Sequence, residues 1–472
     1  MKKRNIKIAM LLLGGVLAVN PPLQAETNKS VLPEASASES TSQGGSAESD
    51  SAASNRTVTR EELEGVRSEL ATLQERLDRT YERNTAQTSR PLFITGTAQL
   101  RYTHLQSHFS ATSNGNKGDQ QNGLSLNALI LNFQGNLKRD FERGRNINYL
   151  FSLVTPGGYS SSWAPDYAVK PLDAYISYYI LPSLDPEKSL LSVVIGQQKK
   201  PFGLEALAAE DKKPTILSAQ SARPNLAGSG DASNGANAGA FPANGVGLDT
   251  RDIGVVLKGD LFPHYDGGYR YRVAAVEYSV GVLNGSGPST LDNNGHKDLS
   301  GRIVLNAPVD YSSIFRGLSV GGSYYDGKTY SAALQGNVDT RRWGADISYV
   351  NTPVGFTYEY VHAQDNTIRK QGNTLTIFYN YGQQFVGGYK SQDRYDDWYP
   401  TTFQPFVRFD WWDPDTNVAG NRTKITTIGV NWFLAQTTKL QLNYNIINQG
   451  PVAQATYPGP RNQFLAQVQY SF

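Results

Sequence analysis

The sequence predicts an all-β membrane protein, a sixteen-stranded antiparallel transmembrane β-barrel preceded by a short N-terminal coiled-coil helix. Three observations carry this. The last stretch, Arg461 to Phe472, places Phe464, Ala466, Val468, Tyr470 and Phe472 on one side of an extended strand and Leu465, Gln467, Gln469 and Ser471 on the other, because side chains alternate with period two. The same alternation recurs from Phe93 to the end. No segment after the N-terminus offers an uninterrupted apolar run of the roughly twenty residues that a spanning helix needs, so membrane crossing falls to strands. An ordinary edge strand of a soluble sandwich would explain the last stretch alone, but not its repetition.

The chain has 472 residues and no cysteine, which excludes disulfide frameworks, thiolate metal sites and thiol nucleophiles. Tyr (27) outnumbers Phe (18) and Gly reaches 45, a profile that suits half-apolar strands with aromatic girdles rather than apolar helices. The formal charge of +2 includes Lys2, Lys3, Arg4 and Lys7; without these four it is about −2, so nothing points to nucleic acid.

Residues 1–25 read as a secretory signal peptide: a basic start, an apolar run from Ile8 to Val19, a Pro21-Pro22 break and a small Ala25 for cleavage. An uncleaved anchor is the alternative. Residues 26–57, rich in Ser, Ala and Glu without an aromatic, read as a flexible linker. Residues 58–90 read as the coiled-coil helix. Thr59 and Glu62 fit a capping box, and Leu63, Val66, Leu70, Leu73 and Leu77 form a narrow heptad seam. A single helix lying on a neighbouring surface competes with the coiled coil, and Arg90-Pro91 ends either.

The barrel occupies 91–472. Its first strand sets Ile94, Ala98, Leu100 and Tyr102 against Thr95, Thr97, Gln99 and Arg101. Later runs repeat this: Leu129, Leu131 and Phe133 against Asn132 and Gln134; Ile253, Val255 and Leu257 against Asp252 and Lys258; Ile428, Val430 and Trp432 against Thr427 and Asn431; Leu440, Leu442 and Tyr444 against Gln441 and Asn443. Strand starts fall near 93, 124, 145, 171, 190, 251, 270, 299, 317, 341, 353, 373, 403, 422, 438 and 461. An even number returns both ends to one side, and about sixteen strands enclose a lumen wide enough for water. Parity turns Arg101, Asp252, Lys258, Arg342, Asp346, Glu359, Arg408 and Asp410 inward. Connections are expected to alternate short (Lys138–Arg145, Leu181–Lys188, Asn351–Pro353, Ala435–Lys439) and long (Gln106–Gly123, Thr155–Lys170, Asn284–Leu299, Asp413–Thr423, Asn448–Pro460).

One connection, 198–250, is far longer than the rest, and a loop of that length can fold into the lumen and narrow it. Its Lys199, Lys200, Lys212, Lys213 and Arg223, with Arg101 and Arg408 on the wall, are the candidates for contact with anions. Glu205, Glu210, Asp211 and Asp231 offset four of the loop's five charges. A tuned anion filter and a solvated loop of mixed charge both fit.

Several motifs lie along the barrel: Gly196-Gln197 with Pro201-Phe202-Gly203-Leu204-Glu205, Arg251-Asp252-Ile253-Gly254-Val255, Pro405 to Asp410 with Asp413-Pro414-Asp415, Gly429-Val430-Asn431-Trp432-Phe433, and the terminal strand with Val468, Tyr470 and Phe472. Across residues 93–472 the chain resembles the phosphate-selective porins of the O/P type. The resemblance implies a homotrimer in outer-membrane lipid of a diderm bacterium, passive diffusion of small anions or other hydrophilic solutes, a periplasmic N-terminal segment, and a C-terminal strand read by the barrel-assembly machinery. Family members selective for phosphate line the constriction with many arginines; the long loop here has one, Arg223.

Enzyme chemistry is not expected. The five histidines, His104, His108, His264, His296 and His362, make no catalytic constellation, no G-x-S-x-G elbow surrounds a serine, and no cofactor is called for. The competing function is a structural barrel that tethers the outer membrane to the cell wall through the coiled coil.

Overall fold

The computed structural model describes residues 92–106, 123–140, 143–156, 169–183, 188–209, 212–222, 251–266, 271–289, 291–292, 294–331, 336–351, 353–381, 402–434, 437–452 and 462–472. The expected signal peptide, linker and coiled coil, with Arg223 and the rest of the long connection to 250, lie outside the described residues.

Sixteen strands make up the fold. The first eight are β1 (Leu92–Gln106), β2 (Gly123–Lys138), β3 (Ile147–Pro156), β4 (Lys170–Pro182), β5 (Ser189–Lys199), β6 (Arg251–Asp266), β7 (Tyr271–Leu283) and β8 (Asp298–Asn306). The others are β9 (Leu318–Ser331), β10 (Gly336–Tyr349), β11 (Val354–Asp365), β12 (Ile368–Tyr379), β13 (Thr402–Asp413), β14 (Thr423–Phe433), β15 (Thr438–Gln449) and β16 (Asn462–Ser471). Each pairs antiparallel with its chain neighbours, and β1 closes on β16 with Leu100 opposite Val468 and Ala98 opposite Tyr470. Closure leaves no sheet edge, which hydrocarbon demands because it offers backbone groups no partner.

The two faces separate as the alternation predicts. Leu100, Val255, Ile303, Val320, Ile428 and Val468 point outward and are exposed. Thr97, Gln99, Ser192, Asp346, Arg408, Asn431, Gln441 and Gln467 point inward and are buried. Aromatic pairs mark two belts on the outer face. Tyr349 with Phe356, Phe403 with Trp432 and Tyr470 with Phe472 have centroids 6.0, 5.5 and 5.9 Å apart near the end that carries both chain termini of the barrel. Trp343 lies 5.1 Å from Tyr360 and 5.7 Å from His362 near the other end. Beyond Trp343 the outer face turns charged, with Lys328–Asp339 and Arg341–Asp326 ion pairs at 3.0 and 3.3 Å. That is the signature of strands rising past an apolar band flanked by girdles.

The connections depart from strict alternation. On the side expected to carry long loops, β9–β10 and β11–β12 are joined by residues 332–335 and 366–367. On the other side, β12–β13 are joined by a long stretch, 380–401. The tight β11–β12 turn is permitted by Asn366, whose φ of 55° is one that Asn tolerates better than most residues.

Candidate functional site

The connection after β5 turns back into the barrel. Residues 200–209 and 212–222 lie against inward side chains of β8, β9, β11, β13, β14 and β15, and each described turn of this path has a local cause. Phe202 is an apolar anchor, buried against Tyr325, Val361, Ala363 and Trp412. Gly203 then takes a φ of +77°, and a Cβ there would lie 2.7 Å from a Glu359 carboxylate oxygen. Only glycine permits both. The bend aims two free amides at that carboxylate: Leu204 N donates to Oε1 at 2.8 Å and Glu205 N to Oε2 at 3.1 Å. The Pro-Phe-Gly-Leu-Glu motif is therefore an anchor, a bend and a pair of donors.

The second arm is fastened further round the wall. The Lys213 carbonyl accepts from Lys439 Nζ at 3.1 Å, and the Pro214 carbonyl accepts from Asn431 Nδ2 at 2.9 Å and Gln441 Nε2 at 3.2 Å. Gln220, in a short 3-10 turn (Gln220–Ala222), donates its backbone amide to Asp410 Oδ2 at 2.8 Å. Ala206, Ala219 and Ala222 pack the arms together. Glu205 joins them: its Oε1 accepts from Ala219 N at 3.2 Å and from the Arg408 guanidinium at 3.2 Å, while Arg408 also bonds Thr215 Oγ1 and the Leu217 carbonyl.

Glu205 is ionised in this setting. Burial pushes its carboxyl up, but the Arg408 guanidinium and the Lys213 ammonium outweigh that and hold it below the usual carboxylate range. A carboxyl depressed on folding contributes stability that is present above its unfolded pKa and lost as pH falls through the lower folded one. Comparing wild type with Glu205→Gln isolates this contribution. The difference in single-channel conductance should persist down through the ordinary carboxylate range and close only in more acidic solution; closure already near neutral pH would contradict the assignment.

Most of the cations expected to touch anions turn out to hold structure. Lys199 Nζ donates to the Ala208 carbonyl at 2.8 Å and the Leu207 carbonyl at 3.4 Å. Lys200 lies 3.5 Å from Asp252 Oδ2, with its ammonium 5.5 Å from the centre of the Tyr325 ring. Lys213 is buried, its ammonium on Ser218 Oγ at 3.0 Å. Arg408 is buried between wall and loop, and Arg101 spends two donors on Gln467 Oε1 at 3.0 and 2.8 Å. Of these cations only Lys212 stands exposed on the described part of the loop. Parity turns Glu359, Asp410 and Arg408 inward, but no sequence signal names a loop amide as partner; Asn431 and Gln441 stand in the sequence only as polar positions of the alternation, and nothing there marks Ser323.

Paired charges dominate the rest of the wall. Arg302 meets Asp346 at 2.6 and 2.9 Å, Arg251 meets Asp173 at 2.9 and 2.8 Å, and Lys370 meets Asp365 at 2.8 Å. Beside the closing seam runs a neutral belt. Gln404, Asn431, Gln441 and Gln467 donate in turn to Asn380, Gln404, Asn431 and Gln441 at 2.8, 2.9, 3.0 and 3.2 Å, a belt of amides from the end of β12 to β16 that satisfies itself.

Comparison with known structures places this architecture. The chain is similar to OmpF of Salmonella typhi, solved in complex with daunomycin, at 11% identity over 81% of this chain and 98% of that one, with a TM-score of 0.53. It is also similar to the anion-selective porin from Comamonas acidovorans at 13% identity, 81% and 100% coverage and a TM-score of 0.49. No protein-family model and no curated protein matches the sequence. The likeness to OmpF shows the fold, a sixteen-stranded barrel of the porin type.

Proposed function

We propose that this chain is an outer-membrane porin through which small hydrophilic solutes diffuse down their gradients, with a leaning toward anions. The observation that carries the reading is the loop at 200–209 and 212–222, fastened across a polar lumen inside a closed barrel whose outer face is apolar and belted. Such a loop narrows a path while leaving a barrel wide enough for water. It joins the signal-like N-terminus, the expected homotrimer and the terminal strand presented to the barrel-assembly machinery in one account, in which residues before the barrel lie in the periplasm.

The anion leaning is supported by which charges stand alone. Asp173, Asp252, Asp260, Asp346 and Asp365 each face a cation, whereas the Lys188 and Lys258 ammonium groups make no ion pair among the described residues. A phosphate filter needs cations converging at one height, and of those on the described loop Lys199, Lys200 and Lys213 are engaged by carbonyls, a carboxylate and a hydroxyl. The reading is accordingly a general porin.

The test is reversal potential in a salt gradient across a planar bilayer. A modest anion preference is expected, and neutralising Lys199 or Lys213, whose ammonium groups hold the loop, should change conductance and noise more than selectivity. A folded barrel that passes no ions would sink the porin reading.

A further inference from the structure

Between Leu207 of the docked loop and the turns that join β2 to β3 and β4 to β5 lies a cavity of about 740 Å³ in the lumen, within the range of small-molecule sites. Tyr175 and Tyr179 of β4 both turn inward, since Tyr175 stands opposite Gly196 and Tyr179 opposite the buried, inward Ser192. Tyr175 is held in place, packed on the buried patch of Val194, Val256 and Leu283. Lys258 is exposed in the same cavity, its ammonium 5.7 Å from the centre of the Tyr175 ring. Lys188 lines the cavity as well, and neither lysine meets a carboxylate. The nearby acids are engaged: Asp260 by Arg272 at 2.8 Å, and Glu277 by Asn306 Nδ2 at 3.1 Å.

We infer that this cavity is a binding station for planar aromatic carboxylates, the anionic group held by Lys258 and Lys188 and the ring set against Tyr175 and Tyr179. Two ammonium groups without acid partners favour an anion over a neutral sugar. Two fixed aromatic side chains add a preference that charge alone does not supply, because stacked or edge-on rings gain beyond their buried area. The station lies on the far side of the loop from the β5 exit, so a solute that has passed the constriction meets it next. The inference rests on the lumen being a solute path.

The probes are benzoate, cyclohexanecarboxylate, inorganic phosphate and glucose, titrated against the folded wild-type protein by calorimetry, with open-channel conductance in potassium chloride recorded separately. Benzoate should bind and reduce conductance. It should bind about 3- to 10-fold more tightly than cyclohexanecarboxylate, which has the same charge and no ring current. Lys258→Gln should weaken benzoate about tenfold or more, and Lys188→Gln should weaken it less. Glucose should not bind. Equal affinity for the two carboxylates, tighter binding of phosphate than of benzoate, or indifference to Lys258→Gln would each overturn the assignment. A channel that conducts well and binds no benzoate ends the proposal and spares the porin; a folded barrel that binds benzoate and does not conduct does the reverse.

Discussion

Replacing Glu359 with leucine should raise single-channel conductance and make the open current noisy, with the barrel still folded. The carboxylate is buried and is the acceptor for both amides at the loop's first bend, Leu204 N at 2.8 Å and Glu205 N at 3.1 Å. A hydrogen bond contributes about 0.5–1.5 kcal/mol net. Leucine removes both and leaves two buried donors unpaired, which adds their desolvation cost. The Ser323 hydroxyl oxygen beside the bend is no substitute acceptor, since it already accepts from Gly203 N at 3.0 Å and Arg302 at 2.9 Å. The second arm keeps Asp410, Asn431, Gln441 and Lys439. Residues 203–209 should therefore swing while 213–222 stay docked, and the narrow section should widen intermittently. Glu359→Gln, which keeps one acceptor oxygen but sets an NH₂ against the other amide, should fall between. Arg101→Gln, remote from these contacts, should leave the noise unchanged. A quiet, unaltered channel in folded Glu359→Leu would mean that the loop is held by its second arm alone.

How much of this was legible follows from where the lipid is. The starts of β1, β2, β4 to β9, β11 and β13 to β16 lie within one residue of where alternation puts them. In each, an apolar outward face begins close to the strand itself. The start of β3 is two residues later than expected. The two larger misses, β10 and β12, each begin five residues earlier than the pattern suggests. Their first residues point Asn337, Asp339 and Arg341, or Arg369, Gln371 and Asn373, outward, and neither face there is apolar. Period two in hydropathy reports contact with hydrocarbon, and a strand that continues past the girdle into water loses the signal while keeping its ladder. The lumen suffers the same blindness. Parity turns Glu359, Arg408 and Asp410 inward, but whether an inward charge faces water, an opposite charge or a loop amide depends on the path of a connection with no periodicity. That is why the sequence does not show that the Lys199 ammonium meets the Ala208 carbonyl or that the Lys213 ammonium meets Ser218 Oγ.

The second large effect is expected at the seam. Deleting Phe472, or replacing Gly96 with valine, should sharply lower the fraction of chain that forms a heat-modifiable barrel. It should also lower the urea midpoint of what does form. Phe472 N donates to the Gly96 carbonyl at 3.0 Å, and Gly96 N to the Phe472 carbonyl at 2.8 Å, so the last residue completes the pairing of β16 with β1. Its ring stacks on Tyr470 at 5.9 Å and lies over Gly96, where a Cβ would come within 2.5 Å of the ring and 2.7 Å of the Ile130 carbonyl oxygen. Valine at 96 thus presses on β16 and β2 at once. Loss of two net hydrogen bonds and one aromatic pair amounts to about 2–4 kcal/mol. The consequence reaches past that sum, because register along this seam decides which residues meet lipid. A slip of one residue would send Gln467 and Gln469 into hydrocarbon, break the bonds from Gln467 to Gln441 and from Gln99 to Gln469 at 3.2 and 3.0 Å, and turn Val468 and Tyr470 into the lumen. Phe472→Tyr, which keeps the ring and both backbone bonds, should assemble nearly as wild type. If the deletion assembles equally well, register is set by the amide belt, and the aromatic terminus serves recognition during assembly rather than closure.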